Sequence, residues 1–482
     1  MALMTGAQYE ESLRKMKYEV YMFGEKVENT VDHPIIRPSL NATKLCYDLA
    51  HDPLYSELMT ATSHLTGKKV NRFTHLHRST DDLIKKVKML RMMGQKTACC
   101  FQRCGMLDAC NATFSITYEM DQKLGTEYHK RFTNFYKKVQ DGDLYLQLGV
   151  TDPKGDRSKA QNKQADPDLY THIVERRPDG IVVRGAKCHM TGATNSHWLL
   201  VMPTMAVKPD AKDYAVAFVT PSDAKGIVYV FGRQSCDTRK LEGSPIDTGN
   251  PTYGGQESLM VFDNLFVPWE NVLMDGETEW SGPLVERFAT YHRQSYGGCK
   301  AGVGDVVIGA AAAIAEYNGV EKASHIKDKL IEMTHLNETL YSGGIAAGAE
   351  GYETACGTYM VDMLLANCTK LNVTRFPYEI VRLAEDLAGG ILVTLPSQKD
   401  FEHPIAGEYM KKFFQGANVN AEDRMRILRL LECMTFGTGA AGYRTESLHG
   451  AGSPQAQRVQ IGRYGNYESK KELAKELAGV KK

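Results

Sequence analysis

Apolar and polar positions follow three rhythms along the chain. From about residue 5 to 140 the pattern is mostly helical. Thr5 followed by Glu10 and Glu11 marks one helix start, and Thr80-Asp81-Asp82 can cap another that runs to Gly94. From about 145 to 275 the chain changes to short β-branched and aromatic runs: YLQLGV, HIVERR, IVVRGAKCHM, HWLLVMPT, YAVAFVTP, GIVYVFGR and SLMVFDNLFV. These predict strands, and Pro178-Asp179-Gly180 between two of them predicts a hairpin turn. From about 282 onward the helical period returns. It is clearest over Ser324 to Ala349, Gly357 to Leu371, Pro377 to Leu387 and Ala421 to Phe436. The expected class is α+β: an N-terminal helical domain over residues 1–143, a central β-barrel or sandwich over 144–277, and a C-terminal helical bundle over 278–482. The terminal SKKELAKELAGVKK predicts a solvated basic helix.

Bulk composition narrows the function classes. The chain has 482 residues, 43% of them hydrophobic and 24% charged, as in ordinary globular proteins. Lys+Arg and Asp+Glu both count 58, so nothing calls for a nucleic-acid partner. MALMTGAQYEESLRK lacks the apolar core of a signal peptide. No uninterrupted apolar run reaches the ~20 residues of a membrane span, and Val303 to Ala315 reads as buried helix. A cytoplasmic location without membrane attachment is expected. The eleven cysteines are then thiols or metal ligands rather than disulfides.

Two segments concentrate the chemistry: TACCFQRCG and YHRQSYGGCKAG. On a helix His292, Tyr296, Cys299 and Lys300 fall within an arc of roughly 100°. Cys100 and Cys104, four apart, share a side if their segment is helical, with Cys99 pointing elsewhere. Three thiolates and one imidazole suit either structural zinc or a [4Fe–4S] cluster with one unusual ligand. Spacing alone equally allows buried apolar cysteines and a satisfied core histidine. Cys46, Cys110, Cys188, Cys236, Cys356, Cys368 and Cys433 are scattered and read as packing. No GxGxxG follows a strand, so a Rossmann site is not supported. Two polar loops offer themselves for a dinucleotide instead: Asp152 to Ser158, where Arg157 can meet a pyrophosphate, and HMTGATNS, with Thr191 and Asn195. Either loop could also be an ordinary turn.

Longer motifs carry a resemblance. YHRQSYGGCKAGVGDVVIGAA, TACCFQRCG, VTDPKGDRS, IVVRGAKCHMTGATNSH, GGQESLMVFDN, ASHIKDKLIEMTHLNETLY and YRTESLHGAGSPQAQR together resemble the 4-hydroxybutyryl-CoA dehydratase/vinylacetyl-CoA Δ-isomerase family, essentially from end to end. The resemblance implies an acyl-CoA dehydrogenase-like fold, FAD, a [4Fe–4S] cluster, a CoA-thioester substrate and a homotetramer built as a dimer of dimers. It makes Cys100, Cys104, His292 and Cys299 the cluster ligands. It makes Tyr296, Lys300, Glu257 and Glu446 active-site residues, with Arg91 and Thr191 near the active site or flavin. Asp152, Arg157, Ser158 and Asn195 complete the candidate flavin contacts. It further implies a redox-neutral radical dehydration of 4-hydroxybutyryl-CoA to crotonyl-CoA. There an electron leaves and returns through FAD, the cluster acts as Lewis acid, and His292 is the base at the α-carbon. Two other readings remain open. One is a flavin-dependent aromatic hydroxylase of the 4-hydroxyphenylacetate 3-monooxygenase type, which has no need of the Cys100/Cys104/His292/Cys299 set. The other is a non-catalytic flavoprotein relative with a structural metal site.

Overall fold

The computed structural model describes residues 3–480. The expected helix starts are made by side chains. Thr5 and Gln8 form a reciprocal capping box on helix Gly6–Arg14. Ser79, one residue before the expected cap, accepts from the Asp82 amide and starts helix Thr80–Thr97. Helices Arg103–Leu124 and Tyr128–Gly142 follow. The first 143 residues are not helical throughout. Strand Glu19–Met22 pairs in parallel with Ile227–Phe231 of the central sheet, and a second small ladder joins Thr60–Thr62 to Lys69–Asn71.

The centre of the chain folds into a six-stranded and a four-stranded sheet. Their apolar faces meet through Val183, Leu199, Val201, Phe218, Phe262 and Leu265. Each sheet is open-ended among the described residues, so the arrangement is the sandwich and not a closed barrel. Strands His172–Arg177 and Gly180–Lys187 form the hairpin expected at Pro178-Asp179. The long strand Ser258–Pro268 alternates buried and exposed positions, then shifts register between Phe262 and Leu265.

The C-terminal part is helical: Thr278–Tyr317, Ser324–Ala349, Met363–Val373, Phe376–Ala388 and Ala421–Thr435. The third of these starts later than Gly357. A two-strand ladder, Tyr352–Glu353 with Tyr359–Met360, occupies the segment before it, and the Asp362 side chain then caps the helix. The basic tail forms the exposed helix Tyr467–Leu477.

Helix Thr278–Tyr317, 40 residues long, is the spine of the molecule. It is long and apolar enough to cross a membrane by composition, yet 67% of that apolar stretch is buried inside the fold. Glycines let its neighbours reach it. A Cβ at Gly302 would stand 2.0 Å from the Arg91 carbonyl, one at Gly298 2.5 Å from the Val87 carbonyl, and one at Gly94 2.6 Å from the Cys299 carbonyl. Helices Thr80–Thr97 and Thr278–Tyr317 therefore touch backbone to backbone at the position of Cys299.

Candidate functional site

Helix Thr278–Tyr317 presents His292, Tyr296, Cys299 and Lys300 as one face, as the periodicity requires. The His292 ring meets Tyr296 edge-on with centroids 5.0 Å apart, and the Lys300 ammonium stands 5.0 Å from the Tyr296 ring centre. Tyr296, Cys299 and Lys300 are buried.

Cys100 and Cys104 reach the same place by a different route from the one the spacing suggested. The helix begins only at Arg103, so Cys100 lies in the loop before it. That loop is bent by two non-glycine residues in the left-handed region, Ala98 at φ 51° and Gln102 at φ 73°. Such conformations cost about 1–3 kcal/mol each and persist only when held. Gln102 is held. Its amide nitrogen donates to the Ser39 carbonyl at 3.1 Å and the Ser39 hydroxyl at 2.6 Å. Its amide oxygen accepts from Thr43 Oγ1 at 3.0 Å and Asn195 Nδ2 at 2.9 Å. The bend brings the Cys100 thiol beside that of Cys104 and within 3.8 Å of Glu446 Oε1. Cys99 turns the other way, toward a pocket that Lys240 and Cys433 also line.

The electrostatics tie these groups into one site. The Cys104 thiol is pushed well above its ordinary range by the hydrogen bond to Cys100 and by burial. Burial lifts Cys299 to about 12. Burial opposes charge on Lys300, but Glu446 and the neighbouring thiols outweigh it and hold the ammonium. Lys300 donates to both Glu446 and the Gly442 carbonyl. Burial keeps the Tyr296 phenol protonated. Glu257 comes from the strand side, where both its oxygens accept from the Thr191 hydroxyl at 2.7 and 3.0 Å. Burial and the Glu446 charge push its carboxyl up to about 8.

Other predicted residues are placed differently. Asp152 pairs with the buried Lys187 ammonium at 2.9 Å and accepts from the Thr171 amide at 2.9 Å. Arg157 and Ser158 are exposed on that loop. Asn195 is fully buried and supports Gln102. Arg91 is engaged by Asp305 and Glu338 on neighbouring helices and is not brought to the thiols within the chain. Gly450 packs against the Tyr296 hydroxyl.

Two residues escaped the sequence reading. Asp108 is fully buried and lies 2.8 Å from His292 Nδ1. Lys370 is fully buried with its ammonium 4.8 Å from the Tyr296 ring centre, and burial together with Lys300 brings its pKa down to about 7. A buried Asp or Lys in an apolar helix is itself a signal. Asp108 in RCGMLDAC is the visible example.

Comparison with known proteins places the whole chain. Residues 5–274 match the 4-hydroxyphenylacetate 3-hydroxylase N-terminal family, and residues 281–479 match its C-terminal counterpart. The chain is 61% identical to the 4-hydroxybutyryl-CoA dehydratase/vinylacetyl-CoA-Δ-isomerase of Clostridium aminobutyricum, covering 99% of this chain and 100% of that protein. It is 28% identical to the 4-hydroxyphenylacetate 3-monooxygenase oxygenase component of Thermus thermophilus, over 90% and 89% of the two chains. Among solved structures, the oxygen-tolerant archaeal 4-hydroxybutyryl-CoA dehydratase of N. maritimus superposes with a TM-score of 0.97 at 55% identity, covering 100% of this chain and 96% of that one. The oxygenase component of 4-hydroxyphenylacetate 3-monooxygenase, solved with FAD, superposes with a TM-score of 0.86 at 25% identity, over 98% of both chains. A glutaryl-coenzyme A dehydrogenase shares the fold alone, with a TM-score of 0.51 at 14% identity, over 85% of this chain and 82% of that one. The chain belongs to the 4-hydroxyphenylacetate 3-hydroxylase family and, within it, to the 4-hydroxybutyryl-CoA dehydratase/vinylacetyl-CoA Δ-isomerase group.

Proposed function

We propose that this chain dehydrates 4-hydroxybutyryl-CoA to crotonyl-CoA and water and isomerises vinylacetyl-CoA to crotonyl-CoA. We further propose that it does so as a cytoplasmic homotetramer carrying FAD and a [4Fe–4S] cluster. One observation carries the reading. Three thiols, from a bent loop and two helices, meet an imidazole, a phenol, an ammonium and a carboxylate around Cys299.

The residues fit both groups. Thiolates and one imidazole are the donors that iron–sulfur clusters take. Among the described residues no three such groups stand close enough for a single ion. Near Glu257, both amide atoms of Gln256 are buried without a hydrogen-bond partner, as is Thr194 Oγ1. Unsatisfied buried donors and acceptors beside Thr191 suit the polar edge of a flavin. When bound, FAD supplies one-electron oxidation and reduction and the cluster supplies a Lewis acid.

What remains for the chain is acid–base work. The thioester acidifies the proton on the α-carbon, leaves the one on the next carbon unactivated, and does nothing for the C4 hydroxyl. His292 completes the donor set, and its imidazole is the base for the α-proton. Lys300, held as an ammonium by Glu446, lies where it can protonate the departing hydroxyl. Tyr296, also protonated, stands against it as a second donor. Glu257, held by Thr191 and carrying its proton near neutral pH, orients substrate or flavin rather than acting as a base.

An aromatic hydroxylase shares the fold and the family models, and the 28% identity to the Thermus enzyme favours it to that extent. Such an enzyme has no need of the Cys100, Cys104, His292 and Cys299 set. Cys299→Ala decides between the two. The proposal predicts loss of both iron and crotonyl-CoA formation, measured by iron analysis and a coupled assay. Retained dehydration would refute it.

A further inference from the structure

Asp108 forms a buried hub behind His292. Its Oδ2 lies 2.8 Å from His292 Nδ1 and 2.7 Å from the Ser295 hydroxyl. Its Oδ1 accepts from the Lys86 ammonium at 2.9 Å, and the same ammonium donates to the Tyr291 carbonyl at 3.1 Å. Asp108, Lys86 and Ser295 are all fully buried, and they come from three places: helix Arg103–Leu124, helix Thr80–Thr97 and the spine helix. An aspartate and a lysine buried in contact stabilise each other's charged forms, because either one alone in the interior is far costlier.

An ionised carboxylate only accepts hydrogen bonds. With Lys86 and Ser295 already donating to Asp108, His292 Nδ1 must be the third donor and therefore carries the ring proton. That leaves Nε2 with its lone pair free. We propose that Asp108 is a positioning residue that holds His292 as the Nδ1–H tautomer, with Nε2 as the nitrogen offered to the metal site. Lys86 and Ser295 keep the carboxylate in place. This rests on the reading of His292 as ligand and base given above. The hub fixes which nitrogen ligates and holds the plane of the ring.

Asp108 sits four residues beyond Cys104 on one helix, and Ser295 sits three beyond His292 on another. The hub therefore also locks the two helices that contribute ligands against each other.

The test compares Asp108→Asn, Ser295→Ala and His292→Gln in the full-length protein purified without oxygen and loaded with ⁵⁷Fe. The measured quantities are iron per subunit, the rate at which a chelator strips it, and the Mössbauer signature of the uniquely ligated iron. Asn offers Lys86 its carbonyl and His292 its NH₂, which demands the other tautomer. Asp108→Asn is expected to lose iron to the chelator about 10–100-fold faster, with a changed signature for one iron in four. Its kcat should fall while KM stays within about twofold. Ser295→Ala, which keeps the carboxylate, shifts the same signature in the same sense by less, and it decides the matter if Asp108→Asn fails to fold. Wild-type stripping rates and spectra in both variants, with His292→Gln altered, would overturn the role of Asp108. A His292→Gln protein indistinguishable from wild type would instead overturn the reading of His292 itself.

Discussion

Glu257 shows how one side chain's surroundings become a measurable property. Its carboxyl ordinarily titrates at 4.5, and in the fold burial and Glu446 raise this to about 8. Below pH 4.5 the group is protonated whether folded or unfolded, and its contribution is fully present. As pH rises from there to 8 the unfolded chain ionises first, and stability is lost. A carboxyl whose titration moves by one pH unit on folding changes stability by about 1.4 kcal/mol before solvent relaxation. Glu257→Gln, which cannot ionise, is expected to melt increasingly above wild type as pH is raised from 5 to 8. A thermal-shift series reads this directly, and parallel curves would show that the carboxyl is not held protonated. The residue scale was partly legible in the sequence. His292, Tyr296, Cys299 and Lys300 were legible because helical spacing alone puts them on one face. Asp108 and Lys370 were not assigned roles. Asp108 acts through a contact 184 residues away, and no local pattern encodes that.

At the scale of elements, the site depends on two devices of different legibility. The first is the contact of helices Thr80–Thr97 and Thr278–Tyr317 through Gly94, Gly298 and Gly302. Glycines packed into YGGCKAG announce close approach, although not to which partner. A methyl group at position 302 would lie 2.0 Å from the Arg91 carbonyl, an atom of a rigid helix. Gly302→Ala should push the helices apart and cost about 1–3 kcal/mol, the usual range for overpacking. Because Cys299 lies at that crossing, iron content should fall together with the melting temperature. A variant with wild-type melting temperature and iron would show that the crossing is looser than the backbone contact indicates. The second device is the bend at Ala98–Gln102. TACCFQRCG contains no glycine or proline before Cys104, so its natural reading is helix. The left-handed turn at Gln102 is imposed from outside by Ser39, Thr43 and Asn195, and the one at Ala98 ends the preceding helix, its amide donating to the Gly94 carbonyl. Tertiary contacts overrode local propensity there, and the bend brings Cys100 beside Cys104 in a way that differs from the i, i+4 geometry.

At the scale of the molecule, the order helical, β, helical was readable from hydrophobic periodicity, and it agrees with the family that the chain belongs to. What periodicity could not give was closure and strand partnership. Whether ten short strands curl into one barrel or pack as two open sheets depends on pairings between distant segments, and the structure forms two sheets. The pairing of Glu19–Met22 with Ile227–Phe231 likewise draws the N-terminal segment into the central sheet. The architecture gathers side chains from several parts of the chain onto one spot. The bent loop brings Cys100, the spine helix brings His292, Tyr296, Cys299 and Lys300, and the sandwich brings Thr191 and Glu257. The C-terminal segment closes it with Glu446. The fold common to the family supplies the frame, and in the proposed function the thiols and the imidazole set its chemistry. Whether this frame carries an iron–sulfur dehydratase is decided by iron content and 4-hydroxybutyryl-CoA turnover measured on the same anaerobically purified wild-type sample. The proposed function requires a brown protein with about four iron atoms per subunit that converts the substrate to crotonyl-CoA. A yellow, iron-free protein without that activity would contradict it.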